Sequence, residues 1–245
     1  MKIFKNKSQF KELKEKIKDY DIKRIVIITG AGISAESGIN TFRDNNGLWE
    51  NYSVYEVARP EAIELTPEIF FKFQNERAID MKNKVPNKAH KELSKLEQKY
   101  HVSIITQNID NLHEKAGSNN IIHIHGTNNE YKCTHCTNKG IYQDNIYGEE
   151  CLECNKGLLR PNVVLFKEQV YDLYPSLDLI EKADLFIQIG TSGTVYPVAG
   201  FPEYTKALKI NISLKEPDNE HYFDFNFKGK ATKLVSELVK TLLVK

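Results

Sequence analysis

The sequence predicts an α/β protein, a Rossmann-like doubly wound parallel sheet carrying a smaller lobe. Three observations carry this. Short apolar runs alternate with amphipathic stretches along most of the chain. The first run, "RIVIIT", feeds straight into the glycine-rich turn "GAGISAESGINTFR". Two segments, 44–88 and 130–160, break the alternation, and the second holds all four cysteines.

The apolar runs are "RIVIIT" (24–29), "VSIIT" (102–106), "NIIHI" (120–124), "NVVLF" (162–166), "DLFIQIG" (184–190) and "LKINIS" (208–213). Most are continuous rather than alternating, as in strands covered on both faces. Helices are expected over 8–19, where Phe10, Leu13 and Ile17 recur at helical spacing, and over 67–81, 87–98, 173–182, 197–207 and 231–243. Strands alternating with helices imply a parallel sheet, with ligands bound at the carboxyl ends of its strands. Residues 1–43, 89–129 and 161–245 are therefore assigned to the large domain. Residues 44–88 form a helical module, and 130–160 a cysteine-bearing module.

Composition narrows the function. A net charge of +1 over 245 residues gives no bulk electrostatic case for nucleic acid or for an anionic membrane surface. No apolar run approaches the ~20 residues of a membrane span. The charged start "MKIFKNKSQFKELKEKIKDY" has no signal-peptide core, so a cytoplasmic location is expected. In a reducing compartment, clustered cysteines favour metal over disulfide.

In the first loop, Gly30 and Gly32 would let the backbone turn tightly and approach a pyrophosphate. Ser34, Glu36 and Ser37 supply capping chemistry for a helix start, whose free N–H groups attract phosphate. An ordinary strand–helix turn reads equally well from the glycines alone. A dehydrogenase would follow the loop, ~20 residues on, with a ribose-gripping acid at a second strand's end. Here Trp49 and Glu50 come with no second strand, which weakens that reading. "TQNIDNLH" sets Gln107, Asn108 and Asp110 at another strand end, where plain turn chemistry is the alternative. "HIHGT" ends a third strand with His123 and His125, the second a candidate general base with a pKa near neutrality. "GTSGTVYP" closes a fourth.

Cys133 and Cys136, then 14 residues, then Cys151 and Cys154 form paired C-x2-C knuckles. Four thiolates close a tetrahedral zinc site with no open position for water, so one structural Zn²⁺ is expected. His135 is a conceivable substitute ligand. A nucleic-acid zinc ribbon is disfavoured, because Asp144, Glu149, Glu150 and Glu153 make the module far from basic.

Taken in order, "GAGISAESGI", "TFR", "TQNIDNLHEKAG", "HIHGT", the paired knuckles, "RPNVVLF" and "GTSGTVYPVAGF" resemble the sirtuins, NAD-dependent protein-lysine deacylases. The resemblance runs from about Lys23 to the C-terminal helix and is nearest the class III members, which include bacterial deacetylases and remove succinyl groups. It implies NAD as a co-substrate, with nicotinamide and O-acyl-ADP-ribose released. Ala31, Phe42 and Arg43 would cover the nicotinamide ribose and pyrophosphate. Asn108 and Asp110 would hold ribose and carboxamide, and Gln107 the ribose hydroxyls. His125 would be the catalytic base, with Asn108 beside it. Thr191, Ser192, Asn211 and Ser213 would line the adenosine half, and Ala231 the adenine. Ser34, Glu36, Thr41, Trp49, Ile109 and Gly190 join Gly30 and Gly32 to complete the cofactor set, and Val164 and Phe166 the substrate wall.

Class III members also grip a distal carboxylate through a tyrosine and an arginine three residues apart. Here "FKFQNER" keeps Arg77 but has Gln74 at the tyrosine position, and Ala58 matches the small residue that widens the acyl pocket. Gln74 could donate through its amide. A solvated helix charge is the alternative for Arg77. Lys167 replaces a glycine in the substrate-backbone loop. The expected partner is the acyl-lysine side chain of proteins, acted on by a monomer. A protein ADP-ribosyltransferase using the same pocket is the second reading.

Overall fold

A computed structural model describes residues 2–40, 48–49, 52–141 and 146–244, and the side chains of 2–5, 48 and 49 lie outside the description. Its centre is a six-stranded sheet, all parallel, in which β1 (Arg24–Thr29) pairs with both β4 (His101–Thr106) and β9 (Leu185–Ile189). β5 (Ile121–His123) extends one side, while β10 (Leu208–Ser213) and β11 (Phe225–Lys228) extend the other. Counted within the sheet, the strand order is the 3-2-1-4-5-6 of the doubly wound nucleotide-binding fold. Its direction reverses between β1 and β9. That reversal is the switch point at which such sheets bind ligands, in a crevice at the carboxyl ends of the strands.

Both faces of the sheet are covered, as the continuous apolar runs require. On one face Ile25, Ile27, Ile104, Ile187 and Ile210 pack against α1 (Lys2–Lys16), α6 (Lys88–Ser94) and α9 (Ala231–Leu243). α9 buries Ala231, Leu234, Val235, Leu238, Val239 and Leu242, one stripe at helical spacing. On the other face Val26, Ile28, Ile105 and Phe186 meet α8 (Leu173–Glu181) and the 3-10 turn Val198–Tyr204. That turn stands where a helix over 197–207 was expected.

The smaller lobe has two parts. One is an antiparallel sheet in which β6 (Gly126–Cys133) lies between β7 (Lys139–Ile141) and β8 (Leu159–Val163). The other is helical. It holds α3 (Val54–Val57), α4 (Ala62–Leu65) and α5 (Pro67–Lys82), preceded by a short hairpin of β2 (Leu48–Trp49) and β3 (Tyr52–Ser53). Phe70 and Phe71 of α5 pack with Ile146, Leu159, Val163 and Leu165, which joins the two parts through one core. Two short helices, α2 (Ala31–Ser34) and α7 (Leu112–Lys115), sit at the strand ends that border the crevice.

"NVVLF" does not join the parallel sheet. Only Asn162 and Val163 belong to a strand, and β8 pairs antiparallel with β6. Val164 and Phe166 continue as a loop, tied by Val164 N–H to the His125 carbonyl (2.9 Å) and by Phe166 N–H to the Ala58 carbonyl (2.8 Å). The run is apolar because it walls the crevice.

Candidate active site and metal centre

The crevice between the sheet's strand ends and the smaller lobe encloses about 1050 Å³, at the upper end of the range for ligand sites. Of the expected cofactor residues, Gly30, Ala31, Gly32, Glu36, Gln107, Asn108, Ile109, Asp110, Gly190, Thr191, Ser192, Ser213 and Ala231 line it. So do His125 and the substrate residues Ala58, Gln74, Arg77, Val164 and Phe166. Thr41, Phe42 and Arg43 lie outside the described residues. Trp49 is placed in β2 by its backbone alone.

Several residues reach this site by a different route from the one their sequence suggests. Gly32 does not spend its missing side chain on a ligand. Its N–H donates to the Gly190 carbonyl at 2.9 Å, and a Cβ there would lie 2.7 Å from Gly190 Cα. Gly190 itself has φ +66, a left-handed backbone suited to glycine. The two glycines let the β1 and β9 loops touch at the switch point.

Ser34 caps no helix. It is fully buried and lies behind the crevice wall, where its hydroxyl donates to Asp110 Oδ2 (3.0 Å) and accepts from Asn108 Nδ2 (3.1 Å). Glu36 does cap a helix, but a distant one. Its carboxylate accepts from Thr232 N–H (3.0 Å) and Thr232 Oγ1 (2.9 Å) at the start of α9. Asn211 also stays behind the wall, donating to Ser213 Oγ at 3.1 Å.

Beneath Asn108 and Asp110 lies a buried polar cluster that the sequence did not reveal. His90 Nε2 sits 3.4 Å from Ser34 Oγ, and His113 Nε2 sits 3.0 Å from Thr29 Oγ1. Both rings are fully buried. Desolvation pushes His90 down to about 4 and His113 well below the ordinary histidine value. Burial also raises Asp110 above the usual carboxylate range, against the bonds from Leu112 N–H and Ser34. The expectation stopped at residues facing the loop, and no spacing ties His90 to Ser34. Lys215 and Lys230 were missed too. They add cations to the lining.

His125 falls in the turn after β5, not on the strand. Its Nδ1 lies 3.0 Å from the Gln107 carbonyl. A carbonyl only accepts, so Nδ1 carries the proton and Nε2 keeps its lone pair. Burial lowers this histidine's pKa, outweighing that hydrogen bond, so the ring is a neutral base at neutral pH.

On the smaller-lobe side, α5 turns a face made of Phe70, Phe73, Gln74, Arg77 and Met81 inward. Arg77 is buried, not a solvated helix charge, and lies 5.5 Å from the Phe73 ring centre. Gln74 Nε2 donates to the Val57 carbonyl at 3.0 Å, and its Oε1 is buried with no hydrogen-bond partner among the described residues. One amide N–H is thus committed to Val57, and the second is what Gln74 has left to donate. Lys167 takes φ +80 and pairs with Glu61 at 2.8 Å.

The four cysteine sulfurs lie within 4.8 Å of one another. Cys133–Cys154 and Cys136–Cys151 Sγ separations are both 3.7 Å. Tetrahedral zinc with Zn–S near 2.3 Å requires edges of about 3.8 Å, whereas a disulfide needs about 2.05 Å. The thiols fit one zinc ion, and His135 is not needed.

A doubly wound sheet with a lined switch-point crevice, a neutral histidine and a four-cysteine module defines a dinucleotide-binding protein with a structural metal lobe. Residues 30–197 match the Sir2 family. An NAD-dependent protein deacylase of Bdellovibrio bacteriovorus is 42% identical over 228 residues, covering 90% of this chain and 97% of that protein. One from Vibrio cholerae is 42% identical over 233 residues, covering 90% and 94%. A solved Sir2 homologue–NAD complex superposes with TM-score 0.86 at 36% identity, covering 96% of this chain and 94% of that one. A Sir2–p53 peptide–NAD+ structure gives 0.80 at 30%, covering 96% and 99%. This chain belongs to the Sir2 family.

Proposed function

We propose that the chain is an NAD-dependent protein-lysine deacylase that accepts acetyl groups and also succinyl groups. The observation that carries this is the position of His125. One crevice is shared by the switch-point loops and by an acyl-side wall, and His125 lines it with Nδ1 held and Nε2 basic.

The residues present fit NAD. Backbone of the Gly30–Gly32 turn and of the Gly190–Ser192 turn lines the crevice, where a pyrophosphate would meet it. Ser213 at the end of β10 offers a hydroxyl, and Lys230 and Ala231 at the start of α9 offer a cation and a helix N-terminus. Bound NAD supplies an activated ribose carbon and a leaving nicotinamide. Asn108 and Asp110, locked by Ser34, would orient that end of the dinucleotide. Val164 and Phe166 would guide the acyl-lysine inward and exclude water from a cationic reaction centre. His125 Nε2 would take a proton from a ribose hydroxyl, making it the nucleophile toward the acyl carbon. Simple NAD hydrolysis would need no such base.

Arg77 supports the wider acyl range, as a buried guanidinium lining the same crevice as Ala58. No helix among the described residues is long and apolar enough to cross a membrane. A cytoplasmic location is part of this proposal. The test is incubation with NAD and an acetyl-lysine peptide. Nicotinamide release that requires the peptide supports deacylation, and equal release without it refutes it.

A further inference from the structure

The two histidines of "HIHG" grip successive carbonyls of one turn. His125 Nδ1 meets Gln107 O at 3.0 Å, and His123 Nδ1 meets Asn108 O at 3.1 Å. His123 differs in its other nitrogen, which lies 2.6 Å from Glu114 Oε1 on α7. The His123 side chain is only 14% exposed. With Glu114 ionised, both ring nitrogens donate and the ring is an imidazolium.

These contacts close a ring around the 107–112 turn. From the Asn108 carbonyl it passes through His123 and Glu114 to α7. Asp110 Oδ1 accepts from Leu112 N–H at the start of that helix (3.1 Å). Asp110 Oδ2 then returns through Ser34 to the Asn108 amide. The groups facing His123 are consistent with a charged ring. Glu114 and Asp110 are acidic, while His113 on the same helix is neutral. Burial alone would lower the His123 pKa, yet the Glu114 bond and charge, with the Asn108 carbonyl, raise it.

We infer that His123 and Glu114 are a positioning pair that fixes the Asn108 carbonyl, and through it the side chains of Asn108 and Asp110 that face the dinucleotide. This rests on the reading of the crevice as an NAD site. The pair touches no reacting atom and acts through the turn. What it must preserve is a donor at Nδ1. An asparagine amide reaches about as far as Nδ1, whereas a glutamine amide reaches about as far as Nε2. Glu114→Gln keeps the Nδ1 proton, because its amide can donate to Nε2 of a neutral ring. Glu114→Ala leaves the ring unsupported.

The experiment measures KM for NAD, kcat, and amide hydrogen exchange of residues 107–112 in the NAD-free protein, for His123→Asn, His123→Gln, Glu114→Gln and Glu114→Ala. Loss of one such hydrogen bond corresponds to up to about tenfold. His123→Gln and Glu114→Ala should raise KM for NAD and speed exchange in 107–112 by about that factor. His123→Asn and Glu114→Gln should stay within about threefold of wild type. Equal loss in the Asn and Gln variants, or exchange unchanged in His123→Gln, overturns the pair. If a His123 variant does not fold, the Glu114 variants decide by the same two readouts. Exchange that follows this pattern in a wild type lacking NAD-dependent deacylation would count against the proposed function alone.

Discussion

Gly32 and Gly190 are in backbone contact. The N–H of one donates to the carbonyl of the other at 2.9 Å, with no room for a methyl group between them. Gly32→Ala must part the β1 and β9 loops, because the obstruction is backbone and not a flexible side chain. Overpacking of this kind costs about 1–3 kcal/mol. The expected result is a lower melting temperature together with NAD binding weakened at least tenfold. Wild-type NAD affinity in the alanine variant would show that the loops need not touch.

The buried neutral histidines make stability depend on pH. Unfolded histidine titrates near 6.5, whereas folded His90 does so only near 4, and His113 and His125 are lowered as well. The unfolded chain therefore binds more protons below about pH 6.5, and stability falls as pH drops from there toward 4. Over that whole span His90 alone accounts for about 3 kcal/mol by linkage. His123, raised by Glu114, works the other way. It adds stability below the ordinary histidine value and loses it as pH rises through its own folded value. Urea unfolding should show lower stability at pH 5 than at pH 7.5, by about 2 kcal/mol from His90, with the raised pKa values of His123 and Asp110 offsetting part of the loss. A flat profile would contradict the neutral assignments.

Much of this was legible in the sequence, for identifiable reasons. β1, β4, β9 and β10 are buried on both faces, so they read as unbroken apolar runs. β11 was missed because "FNFK" is a four-residue edge strand with alternating burial. "NVVLF" was misplaced because a crevice wall and a buried strand are both apolar. At the site, residues that face the ligand are recognisable by type and by their place at strand ends. Residues that hold others are not. Ser34 acts on Asn108 and Asp110, 74 and 76 positions away, and Glu36 acts on Thr232, 196 positions away. Local capping chemistry was the best reading available for both, and tertiary contacts decided otherwise.

The metal module should hold one zinc ion per freshly purified chain. Metal binding here is folding energy, so chelation should loosen the lobe that carries Phe70, Phe71 and the substrate loop, abolishing activity without touching His125. Elemental analysis finding no zinc, in protein never exposed to chelator, would refute the site. Cys151→Ser should weaken retention, since Cys151 is a fully buried ligand position.

The acyl wall predicts a split between substrates. A charge-assisted hydrogen bond to a carboxylate contributes roughly 1.5–3 kcal/mol, or about tenfold to a hundredfold. Arg77→Met should reduce succinyl turnover within that range, mainly through KM, and leave acetyl turnover nearly unchanged. Gln74→Tyr should raise the succinyl-to-acetyl ratio, because the glutamine amide is held by the Val57 carbonyl. Equal impairment of both substrates by Arg77→Met would make the residue structural.

The central claim is that His125 activates a ribose hydroxyl toward the acyl group. Mass analysis of the products from NAD and an acetyl-lysine peptide tests it most directly, with wild type and His125→Ala side by side. The wild type should yield free lysine peptide and O-acetyl-ADP-ribose in equal amounts. The alanine variant should keep its zinc and its fold while losing about two to four orders of magnitude in that product. Free acetate with ADP-ribose from the wild type, or O-acetyl-ADP-ribose formed at near wild-type rate by the variant, would contradict it.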